Sequence, residues 1–342
     1  MSRSITVSTT RANASVPASS LVDGLVTPFR SGAAVPSFLG GTRIATGDAD
    51  IQVALLAPGM LVRTRSGGCV KVRWVGRREL FCARHPRPRD VWPVRVRPGA
   101  FGDGTPRTDL FLSPDHAVFI DGALIPVRLL VNGRTVVQEP REVITYWHVE
   151  LDEREIILAE GVGCETYPGG GPSPGMWPRI CDGAELSAAR SWLMARAAAL
   201  GHAQTDDPGL RAVVGDHVLL PVVQGTRHRF RLPNSARCVR LVSRSAVPAE
   251  LREHSADTRR LGVAVQALTH GGRPVALTDW RLGGGWHARE RDRSSAWRWT
   301  DGNAGIVLAG GEVLEVEVKM TERYWNDDYL QAPALTARAL AA

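Results

Sequence analysis

Residues 110–120, LFLSPDHAVFI, decide how this chain is read. Two apolar runs, Asp109–Leu112 and Ala117–Ile120, flank Ser113-Pro114-Asp115-His116, and Asp121-Gly122 follows directly. An Asp-Gly or Asn-Gly pair between apolar runs is a strong hairpin signal, so both runs are predicted as strands. The same texture extends both ways, from Pro36 to Tyr167. Strand-type runs recur at Thr42–Ala45, Met60–Thr64, Val70–Val75, Val94–Arg97, Thr135–Val137, Tyr146–Leu151 and Ile156–Ala159. Pro58-Gly59, Gly67-Gly68, Pro98-Gly99 and Asn132-Gly133 punctuate them. The pattern predicts an all-β domain.

Beyond that domain the texture changes twice. Residues 168–178, PGGGPSPGMWP, hold neither a helix nor a central strand and read as a boundary loop. Gly171 to Gly175 spell the GxSxG of a nucleophile elbow. Prolines on both sides of Ser173 bar the strand and helix such an elbow needs. Leu186, Ala189, Leu193, Ala197 and Leu200 then recur at helical steps, predicting a helix over about 183–200 with Gly201 in the left-handed position past its end. From about 210 the β pattern returns in HVLLPVV, HRFRL, CVRLVS, LGVAVQAL and VLEVEVK, suggesting a second, sandwich-like β domain. The expected organisation is an N-terminal tail (1–36), a first β domain (37–168), a Gly/Pro linker with a helix (169–209), a second β domain (210–320) and a C-terminal tail (321–342).

Composition narrows the function classes. The chain has 342 residues and is 44% hydrophobic, which excludes a mostly disordered protein. No stretch approaches the ~20 apolar residues of a spanning helix, so no membrane span is expected. The N-terminus has one early Arg and no apolar run behind it, so it is not a Sec-type signal. That suits either the cytoplasm or export by a route needing no such signal. The net charge is +7, but all except two of the 42 basic residues are scattered arginines. A nucleic-acid footprint would be a clustered patch or a motif, so no nucleic-acid partner is expected. The five cysteines are widely spaced and include no CxxC, which argues against a disulfide framework or a structural zinc site. HExxH, Walker and EF-hand patterns are absent, and Asp301-Gly302-Asn303 reads as a turn. No metal and no cofactor are expected.

The first β domain carries an ordered set of strings. SFLGGTRIAT opens it at Ser37, LLAPGMLVRT follows at 55–64, then LFLSPDHAVFI, and YWHVELDEREIILAEG closes it at 146–161. This set resembles the Hint family, the Hedgehog/intein autoprocessing domain, in its bacterial branch. The resemblance spans about 37–167. It implies a Hint-like all-β horseshoe, so that with the linker helix and the second β-sandwich-like domain read above the chain is expected to be mainly β. It also implies a peptide bond that attacks itself. The first residue of the domain adds to the carbonyl before it, and an acyl shift leaves a thioester or ester for a second nucleophile to open. A Thr/Ser-x-x-His element assists, its His on the scissile amide nitrogen and its hydroxyl polarising the bond.

Carried over, the scissile bond is Pro36–Ser37, the nucleophile is the Ser37 hydroxyl, and Ser113 with His116 form the assisting pair. His148 and Cys164 are auxiliary candidates, the first with a structural cross-strand reading beside it and the second with a small buried one. Glu150, Asp152 and Glu160 read as strand-edge or solvent-facing charges. The sequence departs from the family pattern at Ser37 (usually Cys), at Met60 (usually Asp after the Pro-Gly turn) and at Arg154 (near a usual His). It also lacks a terminal His-Asn pair, so splicing is not expected. Two readings follow: single-turnover self-cleavage by an N–O acyl shift, with the chain's own N-terminal segment as substrate, or a catalytically degenerate Hint scaffold. In the second, the C-terminal domain binds a ligand, such as a glycan on its tryptophans or a protein.

Overall fold

The computed structural model describes residues 35–152, 154–168, 177–308 and 313–326. Most of the two expected tails and the Ser173 loop lie outside these residues.

The first β domain is built on two sheets. An eight-stranded sheet runs in the order Val136–Gln138, Val94–Val96, Leu110–Leu112, Phe38–Leu39, Val143–Leu151, Cys69–Phe81, Leu61–Arg63, with Tyr167–Pro168 pairing Val143–Leu151 in parallel. A six-stranded sheet runs Asp50–Gln52, Arg43–Ala45, Ile156–Ala159, Val162–Glu165, Ala117–Ile120, Ala123–Pro126. Every strand-type run predicted in this domain is present, most within a residue or two, but the Val70–Val75 run continues to Phe81 and the Tyr146–Leu151 run begins at Val143. The structure adds strands at Phe38–Leu39, Asp50–Gln52, Ala123–Pro126 and Val162–Glu165. These are short or broken by Gly and Pro, and they acquire strand geometry only by pairing with distant partners.

One core joins the two sheets. Phe38, Leu110, Leu112, Val75 and Val149 come from the eight-stranded sheet, and Ile44, Val118, Ile125 and Ile157 from the other. Excluding their apolar surface from water is the main force holding the sheets face to face. The Gly183–Ala199 helix adds Ala189 and Leu193 to the same core, so it packs on the first domain. It ends as the sequence predicts, with Gly201 at φ +88° and the N–H groups of Gly201 and His202 closing on the carbonyls of Ala198 and Ala197.

The second β domain pairs a four-stranded sheet (His217–Leu219, Arg211–Val214, Cys238–Val242, Asn303–Val307) with a seven-stranded one centred on Val313–Thr321 and Val263–His270. Leu314, Val316 and Val318 are buried while Glu315 and Glu317 face outward, the period-two signature of a half-buried strand. Val239, Leu241 and Ile306 meet Phe230, Val265 and Val316 in one core, giving a sandwich. Asn303 donates its N–H to the Asp301 carboxylate, so Asp301-Gly302-Asn303 is a turn.

Arg190 ties the two domains together. From the helix its guanidinium donates to the carbonyls of Leu129, in the first domain, and Ala249 and Glu250, in the second. The Trp325 indole N–H adds a bond to the Asn132 carbonyl. Gly133, at φ +71°, has the Glu250 carboxylate where a Cβ would lie, so a larger residue there would block the contact.

Candidate functional site

The Phe38–Leu39 strand is inserted between Leu110–Leu112 and Val143–Leu151, with Phe38 opposite both Leu112 and Trp147. This insertion fixes the chain just before it. The Ser37 carbonyl accepts from the Ser113 N–H at 2.9 Å, and Val35 and Pro36 are held alongside. Ser37, Ser113, His116 and His148 therefore all gather around the Pro36–Ser37 peptide, and all four are buried.

Each polar atom of that peptide has its own partner. The Ser37 amide N–H donates to the Ser113 hydroxyl at 3.1 Å. The Pro36 carbonyl faces His148 Nδ1 at 2.6 Å. The Ser37 hydroxyl donates to the Val35 carbonyl at 2.9 Å, and the Ser113 hydroxyl lies 3.4 Å from the same oxygen. His116 does not meet the amide nitrogen in this arrangement. Its Nδ1 is 3.1 Å from the Ser37 carbonyl and its Nε2 is 3.1 Å from the Glu165 carbonyl, while its ring meets Phe38 edge-on. The hydroxyl and imidazole of Ser-x-x-His thus grip the two ends of residue 37, Ser113 the nitrogen and His116 the carbonyl.

His148 is buried because its strand does not alternate. Tyr146 to Val149 are all buried, since Val143–Leu151 lies inside the sheet with both faces covered. Opposite His148 in register is Gly76. A Cβ there would sit 2.0 Å from the Trp74 ring, so glycine alone lets that indole fold over and lie 5.9 Å from the imidazole. Burial drives the His148 pKa down to about 4 against a smaller opposing effect of the Pro36 hydrogen bond. The ring is therefore neutral at pH 7, and the contact with a carbonyl assigns its proton to Nδ1. Burial likewise lowers the His116 pKa, with the Glu165 carboxylate acting the other way.

Cys164 is fully buried in the core opposite Ile157 and Val118, and burial raises its thiol well above the usual range. A thiol so held is a poor source of thiolate. Met60 turns its sulfur back over the Pro-Gly turn to within 3.1 Å of the Ala57 N–H. Glu160 corrects the solvent-facing expectation: it is 2% exposed and its carboxylate accepts the Arg43 N–H at 2.8 Å. Its φ of +50° turns the chain sharply enough to aim it inward.

Glu165 and Arg179 complete the site and were not singled out in the sequence. The buried Glu165 carboxylate accepts the Ala117 N–H at 2.8 Å and both contacts of Arg179 Nη1 at 2.7 and 2.8 Å. Arg179 Nη2 in turn donates to the Asp115 carbonyl at 2.6 Å. The pair clamps the chain on both sides of His116. Arg154 approaches the same carboxylate at 3.5 Å. A cleft of roughly 780 Å³, lined by Val35, Ser37 and Ser113 among others, opens beside Ser37. Among the described residues no group of three His, Cys, Asp or Glu could hold a metal ion, and no helix is long and apolar enough to cross a membrane.

A Hint-domain family model matches residues 36–171, bounds that begin at the Pro36–Ser37 peptide. The crystal structure of the MchDnaB-1 intein is similar to this chain at 15% identity, covering 38% of it and 99% of the intein with a TM-score of 0.28. A variant of that intein gives 15%, 38%, 98% and 0.27. No curated protein matches the chain.

Proposed function

Residues 36–171 are a Hint domain, and from this premise we propose that the chain cleaves itself at Pro36–Ser37 through an ester intermediate. The observation that carries the reading is the neutral His148 Nδ1–H held 2.6 Å from the Pro36 carbonyl oxygen, the atom on which charge would develop. In the forward step, Ser37 Oγ adds to the Pro36 carbonyl carbon and the carbonyl pair moves onto oxygen, against His148. The hydroxyl proton, which rests on the Val35 carbonyl as a hydrogen bond, is released to solvent in the cleft beside Ser37. On collapse the C–N bond breaks; the Ser113 hydroxyl, which accepts the Ser37 N–H in the resting state, turns its own proton onto the nitrogen and regains one from solvent, replacing the proton that Ser37 Oγ gave up. The products are an ester on Ser37 Oγ and a free Ser37 amine. His116 acts as a positioning residue, holding the Ser37 carbonyl so that the nucleophile keeps its place. A hydroxyl is a weaker nucleophile than a thiolate, so the reading rests on oriented donors and a fixed geometry.

Intact-protein mass with and without hydroxylamine tests this, because hydroxylamine opens an ester and spares an ordinary amide. Wild type should yield a fragment beginning at Ser37, and Ser37→Ala should yield none. His148→Phe should slow release on the order of 100-fold, the usual effect of losing an oxyanion donor. Full-length wild type under every condition would overturn the reading. The second reading, a silent Hint scaffold whose C-terminal β domain binds a ligand such as a glycan, is favoured by Trp280, which is 81% exposed. An indole face presented to water suits a sugar ring.

A further inference from the structure

Four arginines that lie apart in the sequence meet at the cleft beside Ser37. Arg78, Arg87, Arg89 and Arg128 all line it. Arg78 shares a face of its strand with Leu80 and lies opposite Tyr146. Arg87 and Arg89 come from the turn around Pro88, and Arg128 from the 3-10 turn after the Ala123–Pro126 strand. Two of the four are neutralised, Arg87 by Asp90 at 2.7 Å and Arg128 by Asp115 at 2.5 Å. Among the described residues, Arg78 and Arg89 form no ion pair, and only Glu250 attracts Arg89 from longer range. Two guanidinium forks therefore face a concave space that also contains the nucleophile. Thr258, from the second β domain, reaches the same cleft, so the opening is bounded by both domains and sized for a small molecule.

We propose that this cleft binds the acyl acceptor, a small amine or alcohol that also carries a phosphate or carboxylate, with the anionic group on Arg78 and Arg89. The proposal rests on the ester reading above and names what opens the ester. The acceptor's nucleophilic atom bonds to the Pro36 carbonyl carbon and the ester C–O bond breaks. The acceptor's proton passes to Ser37 Oγ. The upstream segment then leaves acylated onto the acceptor, and the remaining chain begins with a free Ser37 amine. Planar guanidinium groups match the oxygens of phosphate and carboxylate in paired hydrogen bonds. A neutral nucleophile of the same size gains nothing from them.

O-phosphoethanolamine and ethanolamine carry the same kind of amine and differ in the phosphate, so they serve as probes. At equal concentration, wild type should form the phosphoethanolamine adduct on Pro36 about tenfold more than the ethanolamine adduct, read by mass; one charge-assisted pair is worth at least that factor. The Arg78→Gln/Arg89→Gln double variant should bring the ratio close to one while hydroxylamine release stays as in wild type. Calorimetric titration of the uncleavable Ser37→Ala chain provides a second readout. Phosphoethanolamine should bind saturably, and the two glutamine substitutions should abolish it. Equal adduct yields in wild type, or no binding to Ser37→Ala, would overturn the proposal even where hydroxylamine releases the fragment. No release by hydroxylamine would instead overturn the ester reading, and the acceptor role with it.

Discussion

His148 faces the Pro36 carbonyl, and its protonation state ties the site to stability. A buried imidazole held at about 4, against 6.5 when exposed, binds fewer protons in the folded state than in the unfolded chain between those values. Its contribution is therefore complete above pH 6.5 and is lost as the pH falls toward 4. That loss amounts to about 2 kcal/mol by pH 5. His116 is shifted in the same direction and adds to the effect. Urea midpoints of Ser37→Ala at pH 7.5 and pH 5 should show this drop, and His148→Gln should reduce it. A midpoint that does not change with pH would refute the neutral, buried imidazole. Ser37, Ser113 and His116, which meet the peptide, were named from the sequence, whereas His148 was only an auxiliary candidate with a structural reading beside it. Their division of labour was not legible there, because whether an imidazole meets an amide nitrogen or a carbonyl depends on angstrom-scale placement. Glu165 and Arg179 were invisible for a related reason: a lone Glu and a lone Arg at the edge of a Gly/Pro-rich stretch look solvated until the fold buries one against the other.

At the scale of the element, the strands that follow an apolar alternation were readable and those that borrow their geometry were not. Val313–Thr321 announces itself by its period of two, whereas Phe38–Leu39 is only two residues long and exists because two neighbours pair with it. The Val143–Leu151 strand is a further case. Its continuous buried run places a histidine where alternation would have sent it to water. The Gly76 register makes that placement testable. Gly76→Val forces the Trp74 indole off its seat against His148. It should cost about 1–3 kcal/mol by overpacking and slow cleavage as well. Chemical denaturation and the rate of hydroxylamine-dependent release measure the two effects separately. An unchanged rate in a destabilised variant would show that Trp74 supports the sheet and not the imidazole.

At the scale of the whole molecule, Arg190 connects the domains. Its guanidinium bonds one carbonyl of the first domain and two of the second. Arg190→Met keeps the aliphatic bulk and abandons three acceptors, a loss of about 2–3 kcal/mol. Calorimetry should then resolve two melting transitions where wild type gives one. A single transition at the wild-type temperature would place the coupling elsewhere, at Trp325 and Glu250 first. The mainly β character and the helix were legible from turn residues and periodicity. The interlock was not, because it is made of backbone carbonyls, which every sequence carries. The short strand at Phe38–Leu39 also sets a clock. It has no place to lie until Val143–Leu151 exists, and His148 is 112 residues downstream of the carbonyl it faces. A ribosome must therefore have delivered nearly the entire domain before the bond can be strained or polarised at all. Were it cut, the new terminus would already be anchored between two neighbours. Scission of this kind would report that folding is finished, and a nascent or misfolded copy would keep its leading segment.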